Sequence, residues 1–262
     1  MHKFNNDWLF YREKIDAISR NEKIIKKINK YFKDHKILSI ADLGCGTGSN
    51  YRYMYPKIKV KQKWDMIDIS FESIKEFKKI TANTNKIINI NYKKFDLIKD
   101  IKKFKFENYD LITGSAYLDI MPKKWFHEFK KQNLNTKVIY FSINYDGYFK
   151  FYPKHKDDEY VLQLFNKDQE SDKGIGKKAV GKNCSQIINK VFTKTHKTFV
   201  LNSNWNVSKN KMFQDMFINF CENVIKKNKI SLEPWIKFRR ENIRLNKSKL
   251  LLRNKDFLAL KL

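Results

Sequence analysis

The sequence predicts an α/β fold, a mostly parallel sheet with helices on both faces. A short apolar run beginning at Ile37 ends on Asp42 and breaks at once into glycines at 44, 46 and 48. Further strand-length apolar runs alternate with segments of helical spacing, the pattern of a parallel sheet with covering helices. The polar residues that close those runs fall where ligands bind in such sheets, at the carboxyl ends of the strands.

Residues 7–20 have apolar positions at 8, 9, 15 and 18, with Asp7 as a reasonable N-cap. A second helical stretch, 22–32, leads to strand one. The loop after Asp42 requires glycine because backbone must approach a ligand closely and adopt φ > 0. Dinucleotide spacing would put the third glycine at position 49, but it falls at Gly48, and no Gly-Lys-Ser/Thr follows to make a P-loop. A second strand over 63–70 ends in Asp68, then 71–80 has helical spacing. Runs at 87–92, 109–115 and 137–144 read as strands three to five.

Beyond strand five, 145–184 is a long insertion. It is helical from Asp157 to about Phe165, then polar, with glycines at 174, 176 and 181. Such a glycine-punctuated polar insertion beside a ligand crevice is the kind of segment that forms a functional loop or lid. Residues 183–192 read as a helix, 197–205 as a sixth strand, and 213–227 and 232–245 as amphipathic helices. Residues 249–253 and 257–260 read as a last strand or strand pair.

Asp42-x-Gly44-x-Gly46-x-Gly48 resembles motif I of the class I S-adenosylmethionine (SAM) dependent methyltransferases. The resemblance implies a Rossmann-like seven-stranded sheet whose last strand runs antiparallel between strands five and six. It implies an N-terminal helical cap over 1–34 and SAM as cofactor. In that family the loop holds the methionine part of SAM, which brings Asp42, Gly44, Cys45, Gly46, Gly48 and Asn50 to the cofactor. Asp68, with Ile69 beside it, would accept both ribose hydroxyls, a task that suits the two oxygens of a carboxylate. Asp68 lies somewhat further on than the ~20 residues usual for a dinucleotide site, and capping of the next helix is the alternative role. Asp96 would meet the adenine amine and Leu97 would pack on the ring. Ser115 ends strand four. Arg12 and Arg20 are candidates to fork onto the methionine carboxylate, or else to pair with Asp16 or Glu13. Tyr145-Asp-Gly, Phe165-Asn-x-x-Gln169-x-x-Asp-Lys173-Gly-x-Gly and Ser203-Asn-Trp205 are similar to phrases in a bacterial subgroup and name no acceptor.

On the acceptor side the candidates are Tyr117, Asp119, Asn144, Tyr145, Gln169 and Lys173. Asp119, Tyr145, Asp146 and His155 are candidate bases by position, although His155 also reads as a surface histidine among lysines. Strand four lacks the Asn/Asp-Pro-Pro-Tyr/Phe clamp of amino-methylating enzymes, and Ser115-Ala-Tyr-Leu-Asp119 stands in its place. Cys45, Cys184 and Cys221 are too scattered for a disulfide framework, a metal site or a radical-SAM cluster, which favours a reducing cytoplasm. Cys45 reads as a small packed residue. No run approaches the ~18 apolar residues of a membrane span. At 262 residues the chain suits one large domain.

The net charge of +27 invites a nucleic-acid reading. Lysine supplies nearly all of it, spread from Lys3 to Lys261 and accompanied by abundant Asn, Ile, Phe and Tyr. Bidentate phosphate recognition prefers arginine. A small-molecule acceptor is therefore the first expectation. An RNA methyltransferase and a non-catalytic SAM-binding regulator are the alternatives.

Overall fold

The computed structural model describes residues 6–81, 90–174 and 176–262. Helices α1 (Asn6–Ser19) and α2 (Glu22–Tyr31) precede strand β1 (Ile37–Leu43), helix α3 (Ser49–Met54) and strand β2 (Lys61–Asp68). Then come α4 (Phe71–Thr81), β3 (Ile90–Lys94), β4 (Leu111–Ser115), α5 (Lys123–Gln132) and β5 (Val138–Tyr152). The chain continues through α6 (Asp158–Gln169), α7 (Cys184–Phe192), β6 (His196–Asn202), β7 (Trp205–Val207), α8 (Lys211–Lys227), α9 (Glu233–Arg244) and β8 (Lys249–Lys261). The expected third strand at 87–92 falls partly outside the described residues, as does the side chain of Asp7.

The sheet runs β3-β2-β1-β4-β5-β8-β6, parallel through β5 and antiparallel at β8. The last strand therefore lies between the fifth and sixth, as the resemblance implied. Strand order reverses between β1 and β4, and this switch point opens a crevice at the carboxyl ends of both. Two apolar cores sandwich this part of the sheet. One packs Phe126, Phe129, Phe192 and Trp125 behind β4 and β5, and the other packs Ile24, Ile28, Phe77 and Trp64 around β1 and β2.

Two expectations need correction, and one alternative is resolved. Among the described residues the sheet has eight strands rather than seven, because β7 adds to the outer half of β8. Strand five does not end at Asn144: β5 spans 15 residues from Val138 to Tyr152, so the first part of the supposed insertion is sheet. The alternation Tyr148-Phe149-Lys150-Phe151 carried that signal, with Phe149 and Phe151 buried. Finally, 249–261 is one strand, continuous because it must reach both ends of β5.

Extending β5 beyond its parallel partner breaks register between Phe141 and Asn144 and again between Tyr145 and Phe149. The breaks free backbone groups, and side chains take them up. Asp256 Oδ1 accepts from the Ile143 amide at 2.9 Å, and Asn144 Nδ2 donates to the Phe141 and Lys255 carbonyls. Above the breaks, the outer halves of β5 and β8 with β7 carry a third core beneath α1, α6, α8 and α9. Phe217 lies at its centre, within 5.1–6.0 Å of Phe149, Phe165 and Phe151. The fully buried Arg239 closes it, stacked on Phe151 and Trp235 and bonded to Asp158 and the Pro153 carbonyl. Phe217→Ala is expected to lower unfolding free energy by about 3–5 kcal/mol in urea titration, since a ring this enclosed leaves a cavity.

Candidate functional site

The glycine loop takes its shape from three left-handed residues, Gly44, Gly46 and Gly48, at φ of 64°, 52° and 84°. They do different work. A Cβ on Gly44 would come within 2.5 Å of the Tyr117 ring, and one on Gly48 within 2.2 Å of Phe77. These two let a post-β4 aromatic and helix α4 close against the loop. A Cβ on Gly46 would meet nothing within 4 Å, so Gly46 presents backbone on an open side. Its amide donates to Asp68 Oδ2 at 2.8 Å, while Asp68 Oδ1 takes the Ser70 amide at 2.8 Å. The second is a turn ahead of α4, and the capping role considered as the alternative for Asp68 falls to Ser70 Oγ, which accepts the Ser73 amide at 3.2 Å. Each Asp68 oxygen keeps a further lone pair. Burial raises the Asp68 pKa against the opposing pull of the Ser70, Gly46 and Ile69 amides.

Beneath the loop, Arg20 leaves the end of α1 and spans the switch point. Its Nη1 donates to Asn50 Oδ1 at 2.7 Å and its Nη2 to Ser115 Oγ at 3.0 Å. The Asn50 amide passes the network on, donating to Asp42 Oδ1 at 2.7 Å and Thr113 Oγ1 at 3.1 Å. The guanidinium sits 4.4 Å over the Tyr53 ring. Arg20, Asp42 and Asn50 are buried, and Arg20 Nε and Asp42 Oδ2 have no partner. Burial pushes the Asp42 pKa up to about 7, with the Asn50 bond and Arg20 charge opposing and Asp68 adding to the rise. Thr113 and Tyr53 were not anticipated. Thr113 had a legible signal, a polar residue inside an apolar strand.

Arg12 takes the alternative course, bonding Asp16 at 2.9 Å and lying over Trp205. Glu13 pairs with Arg52 instead. Cys45 is buried and burial raises its thiol pKa far up, consistent with a packed residue. Asp96 spends Oδ1 on the Ile98 and Lys99 amides, and Leu97 is buried with its carbonyl bonded to Trp125 Nε1. The charges of Asp68 and Asp96 both reach the Tyr117 hydroxyl and add to the effect of its burial, which raises its pKa.

The second group of candidates gathers around Asp119. The loop after α6 returns to lie along the segment after β4, with Gly181 N on the Asp119 carbonyl and Val180 N on that of Met121. Asp119 Oδ1 and Ser171 Oγ are sealed there without hydrogen-bond partners. Burial raises the Asp119 pKa, while the charges of Arg12 and Lys173 pull it down. The Asp119 charge in turn reaches the Tyr145 hydroxyl, which donates to Asn166 Oδ1 at 2.9 Å. Lys173 is anchored to Asp168 at 2.9 Å, on the loop that Gln169 and Glu170 begin.

Other candidates lie in supporting positions. The Asn144 amide is committed to backbone at the strand break. Asp146 pairs with Arg253 at 2.7 Å, facing the exposed side of β8. His155 packs 5.0 Å from Phe238, and its Nδ1 accepts the Asp157 amide at the start of α6. Among the described residues no cluster of His, Cys, Asp or Glu has the form of a metal site, and no helix is long and apolar enough to cross a membrane.

Residues 40–132 match a family model described as a methyltransferase domain. A cyclopropane-fatty-acyl-phospholipid synthase-like protein from Lactobacillus casei ATCC 334 is similar in structure, with a TM-score of 0.57 at 10% identity, covering 95% of this chain and 91% of that one. The YcgJ protein from Bacillus subtilis has a TM-score of 0.53 at 11% identity, covering 92% and 100%. These likenesses show the fold. No curated protein matches the sequence.

The buried Asp42 generates a prediction about pH. Its folded pKa of about 7 lies above the value near 3.8 that it has when free. Between those values the folded state holds the proton more tightly, so stability falls as pH rises and levels off above 7. Asp42→Asn keeps an acceptor for Asn50 and removes this share of the fall. Urea titrations at pH 5 and pH 8 are expected to differ less for the variant than for the parent, by about 2–4 kcal/mol.

Proposed function

We propose that this chain is a class I SAM-dependent methyltransferase and acts on a small-molecule acceptor that it envelops, its residues 40–132 matching a methyltransferase domain. The observation carrying the proposal is the seal on the polar atoms left without partners. Arg20 Nε, Asp42 Oδ2, Asp119 Oδ1 and Ser171 Oγ are all closed to solvent. Buried polar atoms without partners are costly, and a small polar ligand that satisfies them offsets that cost. A nucleic-acid or protein segment would instead meet an open groove.

The residues present fit the cofactor. SAM supplies a methyl group on a sulfonium, open to in-line displacement. The chain's own groups bind and orient. Asp42 and Arg20 offer an acceptor and a donor below the glycine loop, one for the ammonium and one for the carboxylate of the methionine part. Gly46 gives backbone approach, the remaining lone pairs of Asp68 suit two ribose hydroxyls, and Asp96 with Leu97 suits the adenine. Around Asp119, the loop after α6 and the segment after β4 exclude water and hold the acceptor, which is most of what methyl transfer asks of a protein. Asp119 would take a donor from the acceptor, an N–H or O–H, and its raised pKa suits it to receive that proton. The whole chain acts as one domain in this scheme, with residues 1–34 as cap and the loop after α6 as lid.

Asp68→Ala is expected to lower SAM affinity at least tenfold by calorimetry with the circular dichroism spectrum unchanged; unchanged affinity would remove the ribose role. Methyl-labelled SAM incubated with the enzyme and a cell extract is expected to put label in acid-soluble metabolites. Label that precipitates with acid and is released by ribonuclease would make the acceptor RNA.

A further inference from the structure

At the other end of the sheet from the glycine loop, where β1 and β2 begin, the surface is hollowed. The hollow has a volume of about 600 Å³ and is lined by six lysines, Lys26, Lys30, Lys33, Lys36, Lys59 and Lys61. All six are exposed, and no carboxylate joins the lining. Of the acids nearby, Asp34 lies 3.8 Å from the lining Lys33 with both side chains exposed, and Asp110 is held at 2.8 Å by Lys137, which also approaches His35.

The lysines do not hang from a loose loop. Asn29 donates to the Lys57 carbonyl at 2.9 Å and accepts the Lys59 amide at 3.0 Å, tying α2 to the turn before β2. Ile37 pairs with Lys61 in the parallel ladder, which fixes the far wall. His35 packs edge-on to the buried Phe32, 5.0 Å away. Helix α2 with Lys26 and Lys30, strand β2 with Lys61, and the two connections carrying Lys33, Lys36 and Lys59 thus hold six like charges around one concavity. Apart from the exposed Asp34 beside Lys33, no carboxylate at the lining offsets their mutual repulsion, which an anion would relieve.

We propose that this hollow binds a compact anion bearing a chain of three or more phosphate groups. Its volume is that of a small-ligand site. The lining holds no arginine, and its one ring, the His35 imidazole, is packed edge-on to Phe32, so it is poor in the bidentate and stacking groups by which single-stranded nucleic acid is held. Ammonium groups act as point charges that neutralise closely spaced phosphates without demanding their orientation. The seven residues of β1, about 20 Å of extended chain, separate the hollow from the glycine loop. The proposal therefore does not depend on the methyl-transfer reading.

Two variants of equal charge test it. One is Lys30→Gln/Lys36→Gln/Lys61→Gln. The other, a control on a different surface, is Lys190→Gln/Lys194→Gln/Lys209→Gln, whose three lysines are also exposed. Titration calorimetry with inorganic tripolyphosphate at low salt is expected to give saturable one-to-one binding to the parent protein. The first variant should weaken it at least tenfold, and the control less than twofold. Equal weakening by both variants would mean diffuse attraction to a basic surface and would overturn the proposal, as would the absence of saturable binding. Binding of a single-stranded RNA oligomer without binding of tripolyphosphate would overturn it as well.

Discussion

A buried guanidinium holds the ligand crevice together. Arg20 stands where the sheet reverses direction, and its two amino groups tie the loop that follows β1 to the end of β4. Its charge also acts on Asp16, Asp42 and Asp256, each buried and each raised in pKa by that burial. Ionised acids at these depths need a cation close by, and removing the cation leaves uncompensated charge. The glycine loop, the α1–α2 junction and the strand break in β5 all meet this one charge. Asp256 makes the last two connections, accepting the Asn21 and Ile143 amides.

Lengthening two strands past the parallel sheet gives the molecule its second storey. The outer halves of β5 and β8 need a cover for their apolar face, and α1, α6, α8 and α9 supply it. The loop after α6 then has a firm base from which to return to Asp119. Lys173 and Lys227 converge on Asp168, binding that loop to the end of α6 and to α8.

Much of this was legible in the residues, because local chemistry dictates it. Three alternating glycines after an acid-ended strand specify backbone conformations that few other residues adopt, and helical or alternating spacing marks α2, α8 and β1. Asp42, Asp68 and Asp96 could be located because each ends or follows a strand. Less legible were features that arise from distant pairing. Nothing near Asn144 announces a break in register, since the reason for it lies in Lys255 and Asp256. Thr113 gains its meaning from Asn50, and the β7 strand from the far half of β8. The lysine hollow was hidden for the same reason: residues at 26–36 and 59–61 look dispersed along the chain, and only the β1–β2 ladder assembles them.

The uninterrupted β8 carries a kinetic consequence. Its second half pairs with Val138–Phe141 and all of β6, and its first half pairs with Phe149–Tyr152 and β7. One segment thus finishes the edge of the lower sheet and the floor of the upper layer. During synthesis neither can be completed until residues 249–261 have left the ribosome, more than a hundred residues after β5 begins. Closing loops of that length is slow, and β5 meanwhile presents an unpaired apolar edge of the kind that invites aggregation. Cellular yield of this protein should therefore depend on chaperone supply more than the stability of its finished cores would suggest.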